Sequence, residues 1–341
     1  MAARGLPVRE RGAAALALVG GAALLLSGCG EQSALDPASK PSREIATLWW
    51  WMLGAAGLVL GGAIFLLLLA WVRRRVPGLP FLGKHERVTT ALVVVFGIVI
   101  PLATNVAVFV VANFVVAKAT TPPPGGAPGI TIQVVGHQWF WEVRYPGTGA
   151  VTANEIHIPV GRSVNVVATT DDVIHSFWVP QLNRKIDTIP GHPNRLVLKA
   201  DRPGRYRGQC AEYCGAQHAH MAMYVYADPP ARFRAWLGGV AASRRAPATA
   251  PEARGERVFL RNACASCHAI RGTSARGTIG PDLTHVGARG TLAALDIPNR
   301  PDTLAHWLRD PQAVKPGNRM PQLSLADRDE RDLVAYLEHL R

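Results

Sequence analysis

The chain has 341 residues, of which 48% are hydrophobic and 18% charged, and its formal net charge at pH 7 is +13. This length leaves room for a membrane-embedded segment and two small domains. The positive charge is concentrated near the N-terminus, in one loop between two apolar stretches and around a linker. Acids and bases nearly balance elsewhere, so the charge reflects membrane topology and tethering more than a surface for a partner, and we expect no nucleic-acid partner.

The N-terminus predicts export from the cytoplasm. Three arginines precede the apolar stretch 13–26, which is the arrangement of a secretory signal. Residues 26–29, Leu-Ser-Gly-Cys, resemble a bacterial lipobox. We therefore expect a lipoprotein-type signal peptide over residues 1–28 and a lipidated Cys29 as the first mature residue. A plain signal or anchor with a free thiol is the alternative.

Residues 29–118 predict an N-terminal segment followed by a two-helix transmembrane hairpin. Apolar stretches at about 48–72 and 88–117 are each long enough to cross a bilayer, and tryptophans flank the first. Cations in the short connection place that loop in the cytoplasm and the rest of the chain on the periplasmic face of a bacterial inner membrane. A buried hairpin in a soluble core is the alternative. The loop cations are Arg73, Arg74, Arg75, Lys84 and Arg87.

Residues 119–237 predict a Greek-key β-sandwich or barrel. Short β-branched runs alternate with Gly, Pro and Asn turns after a Pro- and Gly-rich stretch, which is typical of such domains. The predicted strands are 130–135, 155–160, 163–169, 195–198, 205–209 and 221–226.

The pattern becomes helical after a linker, rich in Ala, Pro and Arg, at residues 238–251. Apolar residues at helical spacing predict helices over 252–262, 302–309 and 327–340. The sequence therefore predicts a small all-α domain over residues 252–341.

A cluster of soft ligands lies between two of the predicted strands. Cys210, Cys214, His218 and Met221 form a C-x-x-x-C-x-x-x-H-x-x-M run. Thiolate and thioether sulfur favour Cu(I) and imidazole also binds Cu(II), so such a site suits copper that transfers electrons. Zinc rarely uses methionine. A zinc site and a disulfide between the two cysteines are the alternatives.

Two thiolates exceed the needs of a single copper of the blue type, so both could bridge two copper ions. A pair of ions requires a second imidazole, and His175, at a predicted turn between strand-like segments, is the candidate. The backbone carbonyl of Glu212, between the cysteines, could complete the set. His220 lies close to His218, and spacing alone does not decide between the two.

A second motif, C-x-x-C-H, predicts covalent attachment of a c-type haem to Cys264 and Cys267, with His268 as an axial ligand of the iron. Met320, in a turn just over fifty residues later, is the predicted sixth ligand. The alternative sixth ligands are His285, His306 and His339.

With these motifs together, nearly the whole mature chain resembles subunit II of a haem-copper cytochrome c oxidase that carries a fused cytochrome c domain. Further matching segments are 136–141 (Gly-His-Gln-Trp-Phe-Trp), 175–177 (His-Ser-Phe) and 185–191 (Lys-Ile-Asp-Thr-Ile-Pro-Gly). The resemblance implies a multidomain membrane protein whose β-domain is cupredoxin-like and holds the binuclear centre called CuA. It places the copper ligands at His175, Cys210, Glu212 (carbonyl), Cys214, His218 and Met221.

The resemblance also implies how the chain functions. An external reduced cytochrome c would give electrons to the fused haem, which passes them to CuA through the region of Trp139. They would continue to the haems of subunit I, where oxygen is reduced to water with proton translocation. Subunit III is a further expected partner. The Glu212 side chain would help hold a magnesium ion shared with subunit I, and Asp187 would lie near it.

Other interpretations stay open at this point. A nitric oxide reductase with such a subunit would differ mainly in its partner. A membrane-tethered copper carrier would have no need of a haem. A nitrous oxide reductase would require a large propeller domain, for which the chain is too short.

Many relatives have a Glu before the second span at the mouth of a proton channel. Glu86 is the only acid nearby, and we expect a solvated loop charge there.

Overall fold

The computed structural model describes residues 30–73, 86–122 and 129–341. The predicted signal peptide, the lipidation site Cys29, and the loop cations Arg74, Arg75 and Lys84 lie outside the described residues.

Two long apolar helices come first, α1 (Lys40–Arg73) and α2 (Glu86–Thr120). Both are long and apolar enough to cross a membrane, and no residue of their most apolar stretches is buried. α2 passes through two π-helical turns, Val95–Val99 and Ala112–Val116. Its asparagine side chains donate to backbone carbonyls four residues earlier, so the polar groups of this apolar helix are satisfied internally.

The next unit contains ten strands in two five-stranded sheets. One sheet has the order β3-β2-β1-β5-β8 and the other β4-β10-β9-β6-β7, with β1/β5 and β4/β10 parallel and the remaining pairs antiparallel. The strands are β1 (Thr131–His137), β2 (Phe140–Tyr145), β3 (Ala150–Ala153), β4 (Glu155–Pro159), β5 (Val164–Thr170), β6 (His175–Trp178), β7 (Ile186–Thr188), β8 (Asn194–Leu198), β9 (Gly204–Cys210) and β10 (Ala222–Asp228).

All six predicted strands are present. β5 alternates between the core and the surface over its seven residues, whereas β4 is buried along its whole length. The sequence missed β2, β3, β6 and β7. Three of these have only three or four residues. The fourth, β2, contains the buried Glu142 and its ion-pair partner Arg144, and these two charged residues interrupt the apolar pattern by which a strand is recognised.

The segment that precedes α1, together with the first turn of that helix, is bonded to the β-domain. Ala38 N–H donates to the Gln181 carbonyl at 2.8 Å, and the Ser42 hydroxyl donates to the same carbonyl at 2.7 Å. Asp36 accepts from the Gln181 amide at 2.8 Å. These contacts fix the start of α1 relative to the sheets.

Helices form the last unit, as predicted. The helices α4 (Ala250–Arg261) and α8 (Asp327–His339) cross so closely that a Cβ on Gly255 would lie 2.0 Å from the Asp332 carbonyl oxygen, so only glycine fits. Arg254 and Asp332 make two hydrogen bonds, 2.6 and 2.8 Å long, at the same crossing. The helices of this unit are α4 (Ala250–Arg261), α5 (Cys264–Cys267), α6 (Pro301–Arg309), α7 (Pro311–Val314) and α8 (Asp327–His339). The sequence did not predict α3 (Pro230–Ala241), which precedes them and buries Phe233 and Val240 in the core of the β-domain.

The connection between α3 and α4 lies against the helical unit. His285 Nε2 is 2.9 Å from the Ala242 carbonyl oxygen, and His339 Nε2 is 3.0 Å from that of Ala246. The predicted fold class is confirmed: two apolar helices, a cupredoxin-like β-domain and a small helical domain in one chain.

Candidate metal and haem centres

The pairing of β6 with β9 brings the first centre together. Phe177 lies opposite Cys210 in antiparallel register, so His175, two residues earlier on β6, reaches the end of β9. There His175 Nδ1 is 3.9 Å from the sulfur of Cys210. His175 begins a strand, whereas the sequence predicted a turn at this position.

The loop between β9 and β10 supplies the other donors. His218 Nδ1 is 3.5 Å and Met221 Sδ is 3.8 Å from Cys214 Sγ. The carbonyl oxygen of Glu212 is 3.2 Å from Cys210 Sγ. The loop closes because Cys210 N–H donates to the Met221 carbonyl at 2.9 Å.

The two cysteine sulfurs are buried, free and 3.7 Å apart, much longer than a disulfide bond of about 2.05 Å. The hydrogen bond with Cys214 lowers the pKa of Cys210, and the same contact raises the pKa of Cys214 because two adjacent thiolates repel.

His175 is fully buried, and the Asp172 carboxylate holds its ring on the side away from the cysteine sulfurs. Its Nε2 lies 2.8 Å from the Asp172 carboxylate, which leaves Nδ1 facing the sulfurs. Burial opposes protonation, but Asp172 and Cys210 outweigh it and raise the pKa of His175. A Cβ on Gly136 would lie 2.7 Å from the ring, so the glycine is needed for this placement.

His218 and His220 make different contacts, which distinguishes the two as possible ligands. His218 faces Cys214, whereas the exposed His220 places Nδ1 2.8 Å from Asp296 of the helical domain. The side chain of Glu212 lies outside the cluster, 3.6 Å from the ammonium of Lys185, which is itself 3.9 Å from Asp187.

The donor set fits copper better than zinc. The ligand atoms of His175, Cys210 and Cys214 all lie within 4.8 Å of one another. Two thiols, two imidazoles and a thioether around one buried point form a mixed soft set, which favours copper.

The helical domain contains a cavity that fits a haem. Cys264, Cys267, His268 and Met320 all line it. His268 Nδ1 is 2.8 Å from the Pro281 carbonyl oxygen, which leaves Nε2 available as a ligand. Burial lowers the pKa of His268 and so favours the neutral imidazole that iron binds. A Cβ on Gly280 would lie 2.4 Å from the ring, so glycine is needed for the backbone to pack this closely against His268.

The three alternative sixth ligands do not line this cavity. His285 and His339 face backbone carbonyls of the connection between α3 and α4, and His306 is exposed. Arg289 does line the cavity, and its buried Nε has no hydrogen-bond partner among the described residues. A haem carboxylate would satisfy that nitrogen.

The β-domain completes the wall of the haem cavity, on the side of the loop between β9 and β10 (residues 211–221, the copper loop). Four of its residues take part: Gln138, Trp139, Phe140 and Asn154. Trp139 is half-buried, and its Nε1 donates to the Cys214 carbonyl at 3.0 Å. The indole therefore lies between the predicted haem site and the two cysteines.

Sequence reasoning missed three residues that hold these centres. Asp172 orients His175, and Gln138 donates to the Cys214 carbonyl at 2.7 Å. Lys315 of the helical domain reaches the β-domain next to Trp139. Of these three residues, only Lys315 could have been singled out from the sequence, because it is the single lysine after Lys199.

Comparisons with known proteins agree with this arrangement. The profile of cytochrome c oxidase subunit II, periplasmic domain, matches residues 149–227, and the cytochrome c profile matches residues 252–341. Cytochrome c oxidase subunit 2 of Alkalihalophilus pseudofirmus is 36% identical, over 93% of this chain and 94% of that protein. The Bacillus subtilis subunit 2 is 28% identical, with coverages of 93% and 95%.

A solved structure, the periplasmic domain of subunit II of cytochrome oxidase of Bradyrhizobium japonicum, is 33% identical with a TM-score of 0.32. It covers 33% of this chain and 94% of that one. The similarity to the Alkalihalophilus protein extends over almost the whole of both chains. The chain therefore belongs to the cytochrome c oxidase subunit II family, and it is an oxidase subunit with a cytochrome c domain fused at its C-terminal end.

Proposed function

We propose that electrons enter the oxidase through this chain. Reduced cytochrome c gives one electron at a time to the fused haem, which passes it to a binuclear copper centre, CuA, in the β-domain. From there it reaches the haems of subunit I. The observation that carries the proposal is the half-buried Trp139, which forms part of the haem cavity wall and donates a hydrogen bond to the Cys214 carbonyl.

The ligands proposed for the copper pair are the buried donors of the β-domain. Bound copper would supply a one-electron acceptor whose charge is shared between two ions. The protein holds the donors in place before the metal arrives: the β6–β9 pairing fixes His175, and the Cys210–Met221 backbone bond closes the loop. The ligands are His175, Cys210, Glu212 (carbonyl), Cys214, His218 and Met221.

The haem would be attached to Cys264 and Cys267, with His268 and Met320 as axial ligands. The Pro281 carbonyl orients His268, and Met320 N–H donates to the Asn318 side chain at 2.7 Å, which fixes the methionine turn. Methionine raises the potential of such a haem, which suits transfer toward a respiratory oxidase.

Oxygen reduction and proton translocation would occur in subunit I, with subunit III as a further partner. The two apolar helices anchor the chain in the membrane as a multi-pass protein, with the copper and haem domains on the periplasmic face and lipid on Cys29. Magnesium shared with subunit I would use the Glu212 side chain. That role requires Lys185 to move aside, since its ammonium now lies 3.6 Å from the carboxylate.

The test is electron paramagnetic resonance of the purified oxidase that contains this chain. One unpaired electron shared equally by two copper nuclei, together with a low-spin haem signal from the same chain, is the expected result. A single-copper spectrum would contradict the binuclear assignment and reopen the zinc alternative for Cys210 and Cys214.

A further inference from the structure

The ammonium of Lys315 is buried at the boundary between the haem and copper domains. Its side chain is 4% exposed, and Nζ lies 3.3 Å from the Asp296 carboxylate. Within the haem domain, Nζ donates to the Ala293 carbonyl at 2.9 Å. Across the boundary it donates to the carbonyls of Trp139, at 3.3 Å, and His220.

Lysine is an unusual choice at this position in this chain. Every other cation after Lys199 is one of nineteen arginines. An ammonium is compact and directs three donors to three separate acceptors, whereas the planar guanidinium suits paired oxygens. The three carbonyls around Lys315 belong to three separate segments, an arrangement that suits an ammonium better than a guanidinium.

The place where Lys315 crosses the boundary is where the two proposed centres approach each other. Lys315 lies five residues before Met320 and itself lines the haem cavity. Its two carbonyl partners across the boundary belong to Trp139 and to His220, in the loop between β9 and β10.

Neighbouring residues extend the same contact. The Gln217 amide of the copper loop donates to the Pro316 carbonyl, and the Arg319 guanidinium donates to the Gln138 side chain. Gln138 in turn donates to the carbonyl of Cys214. The turn that carries Met320 is therefore bonded directly to the copper loop through Gln217, and indirectly to Cys214 through Gln138.

We propose that Lys315 is a positioning residue, which holds the haem domain docked on the copper loop so that electron transfer needs no diffusional search. This inference rests on the proposed function, because it concerns the step from haem to copper. Removing the ammonium leaves the Asp296 carboxylate without its ion pair and the three carbonyls without their shared donor, which weakens docking and leaves each domain intact.

The first test is chemical labelling of the purified wild-type oxidase with an N-hydroxysuccinimide acetate. We expect the buried Lys315 to stay unmodified while Lys199, whose side chain is 36% exposed, is acetylated. After denaturation both lysines should react. Labelling of Lys315 as fast as Lys199 in the native complex would overturn the proposal, whatever the electron-transfer rates are.

The second test compares wild type with Lys315→Met after rapid photoreduction of the haem. We expect the haem-to-copper rate to fall by about tenfold or more, the change that accompanies a loss of about 1.4 kcal/mol in docking free energy. The remaining transfer should become slower in viscous solvent, because the domain must dock again each time. Haem and copper spectra should be unchanged.

The matched control is Arg328→Met, which removes a cation from the same domain at a side chain that is 71% exposed. Its rate and viscosity dependence should equal those of wild type. A Lys315→Met rate equal to that of wild type would overturn the role of Lys315 while leaving the proposed function intact. Absence of haem-to-copper transfer in wild type would instead contradict the proposed function.

Discussion

Phe177 on β6 lies directly opposite Cys210 on β9, and this one backbone pairing joins two parts of the chain that are distant in sequence. It places His175 at the metal-binding loop, which no local feature of residues 171–178 could do. The centre therefore depends on sheet register. A shift of one residue would turn His175 to the opposite face of the strand.

A substitution at Gly136 tests how closely the backbone of β1 packs against the His175 ring. Gly136→Ala would place a Cβ 2.7 Å from the His175 ring, so the ring must move away from Cys210. We expect a loss of about 1–3 kcal/mol in the free energy of unfolding and weaker copper binding, measured by thermal unfolding and by metal titration. The control is Gly238→Ala in α3, where a Cβ would meet no atom within 4 Å. Equal copper affinity in both variants would contradict the prediction.

Asp172 tests how His175 is oriented. Asp172→Asn keeps a polar partner near Nε2 but removes the carboxylate charge that holds the ring. We expect copper affinity to fall by about 10–100-fold, as for other partners that orient a ligand. Competition with a copper chelator measures this change. Asp171→Asn, which changes a neighbouring acid that does not bond His175, should leave the affinity unaltered.

Met320 tests the proposed sixth ligand of the haem. Met320→His should lower the reduction potential of the haem by a substantial part of the roughly 0.8 V that axial ligands span. A spectroelectrochemical titration measures it. His306→Gln is the control, because His306 is exposed and does not line the haem cavity. An unchanged potential in Met320→His would contradict ligation by Met320.

Glu155 gives a prediction about pH. This buried carboxylate accepts from Gly290 N–H at 2.8 Å across the boundary between the domains, and burial raises its pKa above the usual 4.5. A raised pKa means that the native state holds the proton more tightly, so stability falls as pH rises from 4.5 through the native pKa.

Thermal unfolding measured between pH 4 and pH 8 checks the Glu155 prediction. Glu155→Gln keeps an acceptor for Gly290 and cannot ionise, so its unfolding temperature should decline less over this range. Parallel curves for the two proteins would show that Glu155 does not contribute to the pH dependence.

The sequence predicted what depends on neighbours along the chain. Cys210, Cys214, His218 and Met221 lie within twelve residues, so their spacing alone indicated a metal-binding loop. The helices around the haem motif were likewise clear from apolar spacing, and α8 begins and ends within one residue of its predicted limits.

The sequence could not predict contacts between separate segments. β6 has only four residues and follows two aspartates, so it read as a turn, although its partner β9 makes it a strand. Asp172 looked like part of that turn. Lys315 lies 176 residues from Trp139, and no local sequence pattern indicates that these two residues are in contact.

Trp139 is half-buried beneath the haem domain, which changes what a soluble donor can meet. In the proposed function, collision with the donor and delivery to copper become separate events on one polypeptide. The first depends on donor concentration and ionic strength, and the second is a first-order process within the chain. The haem could then be reduced again while the copper centre is still reduced. The chain would hold two electrons at once, so electron delivery to subunit I would continue when the supply of reduced donor varies.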